Sequence, residues 1–203
     1  MANFICYILF IIGGFLSGSI LFCRIIVKAY KKQDILEVSE DGNPGVFNAI
    51  KQCGFGIGLI CLLLELLKGI IPVLFASYFM PHNTILFSLV MLAPILGHAL
   101  GVFDKFHGGK CIAVSFGVMI GITPITCLGL VLLLVFYLFF FAIVRIKSHK
   151  TCSIVTFACF AIVSGVVFIF QNMLSLSVGC VLTSVIVIVK HVKIAHDFIF
   201  KDI

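Results

Sequence analysis

The feature that most limits what this chain can become is a series of long apolar runs separated by short polar breaks. "FGIGLICLLLELLKGIIPVLFASYFM", residues 55–80, carries only Glu65 and Lys68 as charged side chains. An α-helix rises about 1.5 Å per residue and a hydrocarbon core is about 30 Å thick, so roughly 20 such residues span a bilayer. Breaks fall at 28–52, 81–84, 104–110, 123–124, 145–151 and 171–173. Between them lie apolar segments near 3–27, 54–80, 85–103, 111–122, 125–144, 152–170 and 174–190. The fourth is short: about a dozen residues rise only about 18 Å. Hydrophobic residues make up 62% of the chain and charged ones 11%, whereas a soluble chain has about a quarter charged. The expected fold is therefore all-α, a polytopic integral membrane helix bundle of five to seven helices, seven preferred. Residues 1–203 form a single membrane domain in this reading.

Charge assigns the sides. Arg24, Lys28, Lys31, Lys32 and Lys51 surround the first break, Lys105 and Lys110 lie in the third, and Arg145, Lys147 and Lys150 flank the fifth. Lys190, Lys193 and Lys201 occupy the tail, while the "PHNT", "TP" and "QNM" breaks have no Lys or Arg. Every second break is basic, the positive-inside pattern, which puts the N-terminus outside and the C-terminus in the cytoplasm. The net charge of +6 is then topology and calls for no nucleic-acid partner, though it draws anionic substrates and membrane lipids to that face.

The first apolar segment has no basic region before it and is too long for a cleaved signal, so it is expected to stay as the first span. The nine cysteines are scattered without a CxxC pair or a Cys/His set, which fits small buried hydrophobes better than disulfide or metal chemistry.

Topology leaves a few polar residues unexplained. Glu65 and Lys68, at i and i+3, share a helix face deep in a span. They are either a neutralised structural pair or a substrate-contacting lysine oriented by its acid. Gly42, Asn43, Pro44 and Gly45 make a tight turn ahead of Asn48 and Lys51. Taken alone this is ordinary loop chemistry; before a helix it also exposes N–H groups suited to an anion. "KFHGGKC", 105–111, repeats the theme with Gly108, Gly109 and Lys110, and lacks Walker A spacing. His98 ends a span and is either an interfacial histidine or an acid/base group. In the tail, His191 and His196 with Asp197 are a weak metal set. Two glycine-lysine loops and a His-bearing tail on one membrane face point to a site for a phosphate-bearing substrate.

"GSI" at 18–20, "GNPGVFNAIK" at 42–51, "ELLKG" at 65–69, "GHALGVFDKFHGGKCIA" at 97–113 and "KH" at 190–191 together carry a resemblance. The chain resembles the bacterial membrane acyl-phosphate:glycerol-3-phosphate acyltransferases, whose motifs read GSIP, SGNPGATN…R, D-LLKG, GH-FPVF-FKGGKGVAT and HRENI. The match runs from residue 18 to about 194. It implies a seven-helix enzyme of the cell membrane with its site at the cytoplasmic face. Such an enzyme moves a fatty acyl group from acyl phosphate to the 1-hydroxyl of sn-glycerol 3-phosphate, giving lysophosphatidic acid and phosphate. No cofactor or metal is implied.

By the matching positions, Lys110, Asn48 and His191 are the catalytic candidates. Lys110 with Gly108 and Gly109 would hold substrate phosphate. Gly42, Asn43 and Gly45 would shape the facing loop, and Lys51 with Asn48 would bind glycerol phosphate. Lys68 would line the site beside His98. Oligomeric state is not encoded legibly.

The chain departs from the motifs at several points. Asp41 stands where the family has serine, Val46-Phe47 where it has Ala-Thr, and Lys51 where it has arginine. Leu21 replaces a proline, Gly101 another, His107 a lysine, Cys111 a glycine, Val114 a threonine and Ile194 the asparagine of the tail. These changes leave a second expectation beside the enzyme: a non-catalytic family member that binds lipid phosphate or regulates an active relative.

Overall fold

The computed structural model describes residues 2–39 and 41–192, and every regular element among them is helical. The tail residues Lys193, Ile194, His196 and Asp197 lie outside the described residues. The order is α1 (Ala2–Ser19), α2 (Phe22–Lys31), α3 (Ile35–Val38), α4 (Val46–Cys53), α5 (Phe55–Phe79) and α6 (Ile85–Leu100). A 3-10 turn (Val102–Asp104) follows, then α7 (Ile112–Gly121), α8 (Leu128–Leu138), a π-helical turn (Phe139–Ile143), α9 (His149–Phe170) and α10 (Leu174–Val192). Five helical stretches are long and apolar enough to cross a membrane: Phe4–Lys31, Phe55–Phe79, Ile85–Asp104, His149–Phe170 and Leu174–Val192. Ile112–Gly121 and Leu128–Ile143 are apolar but shorter. The short fourth segment expected from sequence is α7.

The 28–52 break is structured: α2 runs on to Lys31, and α3 and α4 occupy much of the rest. The first apolar segment is bent. Leu21 leaves helical geometry (φ −92°, ψ 80°), which separates α1 from α2. The bend strands the Ile20 carbonyl in an apolar setting, where an unsatisfied backbone group is costly. Lys68 Nζ donates to that carbonyl at 2.7 Å. A polar side chain inserted at a helix break is sufficient cause for a bend, so Leu21 needs no proline ring to hold it.

Small residues set how closely the helices approach. A Cβ added at Gly18 would lie 2.1 Å from the Pro94 carbonyl oxygen, and one at Gly97 would lie 2.1 Å from that of Phe15. Hence α1 and α6 touch backbone to backbone, the packing that small residues permit where no hydrophobic driving force acts between helices. Behind them a core of Phe87, Met91, Leu133, Phe157, Phe160, Phe168 and Leu176 is closed. Phe55, Phe79, Ile143 and Phe170 face outward, as expected when the surroundings are lipid. Some hydroxyls inside the spans bond back to the turn before them, Ser115 to Cys111 O, Ser164 to Phe160 O and Ser184 to Cys180 O, while Ser177 bridges to Gly165 O of α9.

Long-range polar contacts sort into two ends of the bundle. At one end Tyr7 donates to Pro81 O and accepts from Thr84 Oγ1, while Ser175 donates to His82 O. At the other, Arg24 reaches Asp104 at 3.0 Å, Lys110 reaches Asp41 at 2.6 Å and Lys190 donates to Ala99 O at 3.0 Å. The second end collects the basic breaks.

Candidate active site at the basic end of the bundle

The inner part of the site is a buried ionic group. Lys68 and Glu65 lie one turn apart on α5, and Lys68 Nζ sits 2.8 Å from Glu65 Oε2. Lys68 is 3% exposed and Glu65 2%, so the two charges neutralise each other where neither is solvated alone. His98, near the end of α6, joins them: its Nδ1 lies 2.7 Å from Lys68 Nζ and 3.2 Å from Glu65 Oε2. An ammonium only donates, so His98 Nδ1 accepts and the ring proton is on Nε2. Thus Lys68 is fully engaged, by a carboxylate, an imidazole and the Ile20 carbonyl. Sequence spacing revealed the Glu65–Lys68 pair; His98 is 30 residues away and joins only through the packing of α5 against α6.

Gly108 and Gly109 link this group to the surface. Gly109 N–H donates to His98 O at 3.0 Å. A Cβ on Gly109 would come 2.3 Å from His98 Nε2, and one on Gly108 would come 2.1 Å from Ala99 O. The pair therefore lets the loop lie flat on the end of α6, which delivers Lys110 to its place.

The outer part forms where Lys110 meets the turn before α4. Gly42 adopts φ +58°, and Gly45 caps α4 from extended backbone (φ −97°, ψ 163°). A Cβ at Gly45 would lie 2.5 Å from Asn43 Nδ2, so a side chain here would displace the Asn43 amide. Asn48, 8% exposed, donates from Nδ2 to Asn43 O at 2.9 Å and to Asp41 Oδ1 at 2.8 Å. Lys110 Nζ donates to Asp41 Oδ2 at 2.6 Å. Burial alone would push the Asp41 carboxyl upward, but the hydrogen bonds from Lys110 and Asn48 outweigh it and hold it below its ordinary range. Asp41 is charged here and turned inward onto the two residues matched to substrate.

Around this pair lie further basic groups. Lys51 Nζ stands 5.2 Å over the ring of Phe47, a cation–π contact, and Phe47 packs against His149 with centroids 5.7 Å apart. His191, 2% exposed on α10, donates from Nδ1 to Val187 O at 2.7 Å. That leaves its Nε2 as an acceptor with no hydrogen-bond partner among the described residues. Lys110, His149 and Lys150 all lie within electrostatic reach of it. Lys110, Asn48, His191, Gly42, Asn43, Gly45, Lys51, Lys68, His98, Gly108 and Gly109 thus gather at one end of the bundle. Sequence reading missed Asp41 as a partner of Lys110, and His149 altogether. The one available signal for His149 was its position in a basic break on the same side. Among the described residues, no three His, Cys, Asp or Glu side chains are grouped as metal ligands would be.

Comparison with known proteins adds an independent line. The family model for glycerol-3-phosphate acyltransferase matches residues 8–199. The glycerol-3-phosphate acyltransferase of Staphylococcus aureus (strain Newman) is 34% identical over 190 residues, covering 90% of this chain and 86% of the relative. That of Hydrogenobaculum sp. (strain Y04AAS1) is 32% identical over 146 residues, covering 72% and 74%. In three dimensions the chain resembles the crystal structure of PlsY (YgiH), an integral membrane glycerol 3-phosphate acyltransferase, in its glycerol 3-phosphate form. There the TM-score is 0.79 at 25% identity, over 92% of this chain and 88% of that one. The lysophosphatidic acid form of PlsY, at 23% identity and a TM-score of 0.72, shares the fold.

Proposed function

The chain belongs to the glycerol-3-phosphate acyltransferase family, and from that premise we propose that it moves a fatty acyl group from acyl phosphate to sn-glycerol 3-phosphate. The observation that carries this reading is the convergence of Lys110 and Asn48 on Asp41 at the turn before α4, with His191 from a third segment within electrostatic reach of Lys110. An acyl phosphate is already activated, because its leaving group is a stable phosphate. The glycerol hydroxyl attacks the acyl carbon, the bond from that carbon to the phosphate oxygen breaks, and the hydroxyl proton leaves with the phosphate. The protein must hold two anions side by side, orient the hydroxyl and neutralise charge that develops on the leaving group.

Lys110 and the amide of Asn48 supply donors for phosphate oxygens, and Lys51 supplies charge for the acceptor's phosphate. The Nε2 of His191, without a hydrogen-bond partner among the described residues, is an acceptor suited to a substrate hydroxyl. The buried Glu65–Lys68–His98 group, ion-paired through Lys68, positions the glycine loop from beneath. The reading places the site at the cytoplasmic face of the cell membrane, the N-terminus outside, with membrane lipids as product sink and surroundings.

The test uses the full chain in lipid nanodiscs with palmitoyl phosphate and glycerol 3-phosphate. Phosphate release that depends on glycerol 3-phosphate, with lysophosphatidic acid formed in equal amount, is expected; its absence would overturn the enzyme reading. A second reading, a non-catalytic binder of lipid phosphate, draws on the Asp41 carboxylate seated on Lys110. Binding of glycerol 3-phosphate without release would favour it.

A further inference from the structure

Resting on the acyltransferase reading, we propose that Asp41 is an internal anion occupying a substrate-phosphate seat, and that it sets how tightly this chain takes phosphate monoesters. The carboxylate accepts from an ammonium (Lys110, 2.6 Å), a side-chain amide (Asn48, 2.8 Å) and a turn N–H (Asn43, 3.3 Å). Those are the donor types that hold a phosphate oxygen. Two of the three belong to residues matched to substrate, and in the family motif the same position is a serine, which brings no charge. Lys110 and Asp41 are spaced 69 residues apart, so only the fold creates the pair.

The seat is built to open. Asp41's side chain is 38% exposed and Lys110's 32%, and exposed pairs of this kind hold weakly. A phosphate entering the turn exchanges with the carboxylate for Lys110 and Asn48, and the displaced Asp41 swings toward solvent through that exposed side. While Asp41 stays near, its charge opposes the incoming anion at close range, where Coulomb interaction is strong. The result is a site tuned to weaker phosphate binding than a serine at the same position would give. The fully buried Glu65 is not a comparable competitor, because Lys68 holds it inside the bundle.

The experiment compares the full chain with Asp41→Ser and Asp41→Asn in nanodiscs, reading inorganic phosphate and glycerol 3-phosphate binding by calorimetry alongside turnover. Asp41→Asn keeps the shape and one acceptor, removes the charge and exchanges the other acceptor for an NH2 donor, so it guards against a folding defect in the serine variant. Both variants are expected to bind phosphate about five- to tenfold more tightly, roughly the loss of one screened charge contact. The KM for glycerol 3-phosphate should fall by a similar factor while kcat changes by less than about twofold. Adding Lys110→Ala to either variant should erase the gain. Unchanged or weaker phosphate binding in both single variants would overturn the proposal, as would a loss of kcat at unchanged affinity, which would make Asp41 a proton acceptor instead. If no protein turns over but the affinity gain appears, the acyltransferase reading fails and the internal-anion proposal stands.

Discussion

Replacing Lys68 by methionine tests the inner ionic group most severely. The change keeps the side chain's length and removes its charge. In its place the Glu65 carboxylate, 2% exposed, loses the cation 2.8 Å away, and the Ile20 carbonyl loses its donor at 2.7 Å. Removing one partner of a buried ion pair typically costs about 3–5 kcal/mol, because the other charge is left uncompensated. The orphaned carbonyl lies at a bend in an apolar segment and adds about 1–3 kcal/mol. Lys68→Met alone should therefore destabilise the bundle by at least about 3 kcal/mol. Removing the carboxylate charge as well, in Glu65→Gln/Lys68→Met, should recover about 2 kcal/mol of that loss, a coupling typical of contacting pairs. Unfolding in SDS, followed with a thiol-reactive dye, reads this directly, since the buried Cys23 and Cys61 become reactive only when the helices part. The exposed Cys127 and the half-buried Cys6, Cys53 and Cys159 are first changed to serine to remove background. A single-mutant cost under about 1 kcal/mol, or strict additivity in the double mutant, would refute the claim that this pair is held by mutual neutralisation.

Other outcomes follow from the same geometry. Lys51→Ala removes the cation above Phe47 and should raise the KM for glycerol 3-phosphate about tenfold, with a smaller effect on acyl phosphate; steady-state kinetics with each substrate varied in turn would expose an equal effect on both. Gly108→Ala puts a Cβ 2.1 Å from the Ala99 carbonyl oxygen and should lower kcat/KM at least about tenfold by lifting Lys110 from its seat, with helix content by circular dichroism unchanged. The hydrogen bonds from Arg24 hold the Asp34 carboxyl below its ordinary value, against the opposing pull of burial. A carboxylate with a depressed folded pKa stabilises above the unfolded value of about 3.9 and loses that contribution as pH falls through the lower folded value. Unfolding measured from about pH 6 down to pH 2 should thus show an acid-side loss that is smaller in Asp34→Asn, where only the contribution of the likewise depressed Asp41 is left of these two.

The bundle itself was legible because a bilayer imposes a length on every apolar run and a sign on every basic break. Both constraints are one-dimensional, so residues 55–80 or the Lys-free "PHNT" break reveal them without coordinates. The motifs also survive as strings, which is why Lys110, Asn48 and His191 could be singled out. The bend at Ile20–Leu21 was only partly legible: Ser17-Gly18-Ser19 can bend a helix, but the ammonium from α5 that takes up the freed carbonyl is visible only in the fold.

What the sequence alone determined, then, is membrane residence, helix number within narrow bounds and which residues carry charge near one face. Only the tertiary structure decided their pairing, because in an apolar medium every charge must find its counterpart, and that counterpart is chosen by helix packing rather than by chain distance. Packing gave Lys68 a histidine from α6, laid the glycine pair against the end of that helix, and brought Asp41 onto Lys110 across 69 positions.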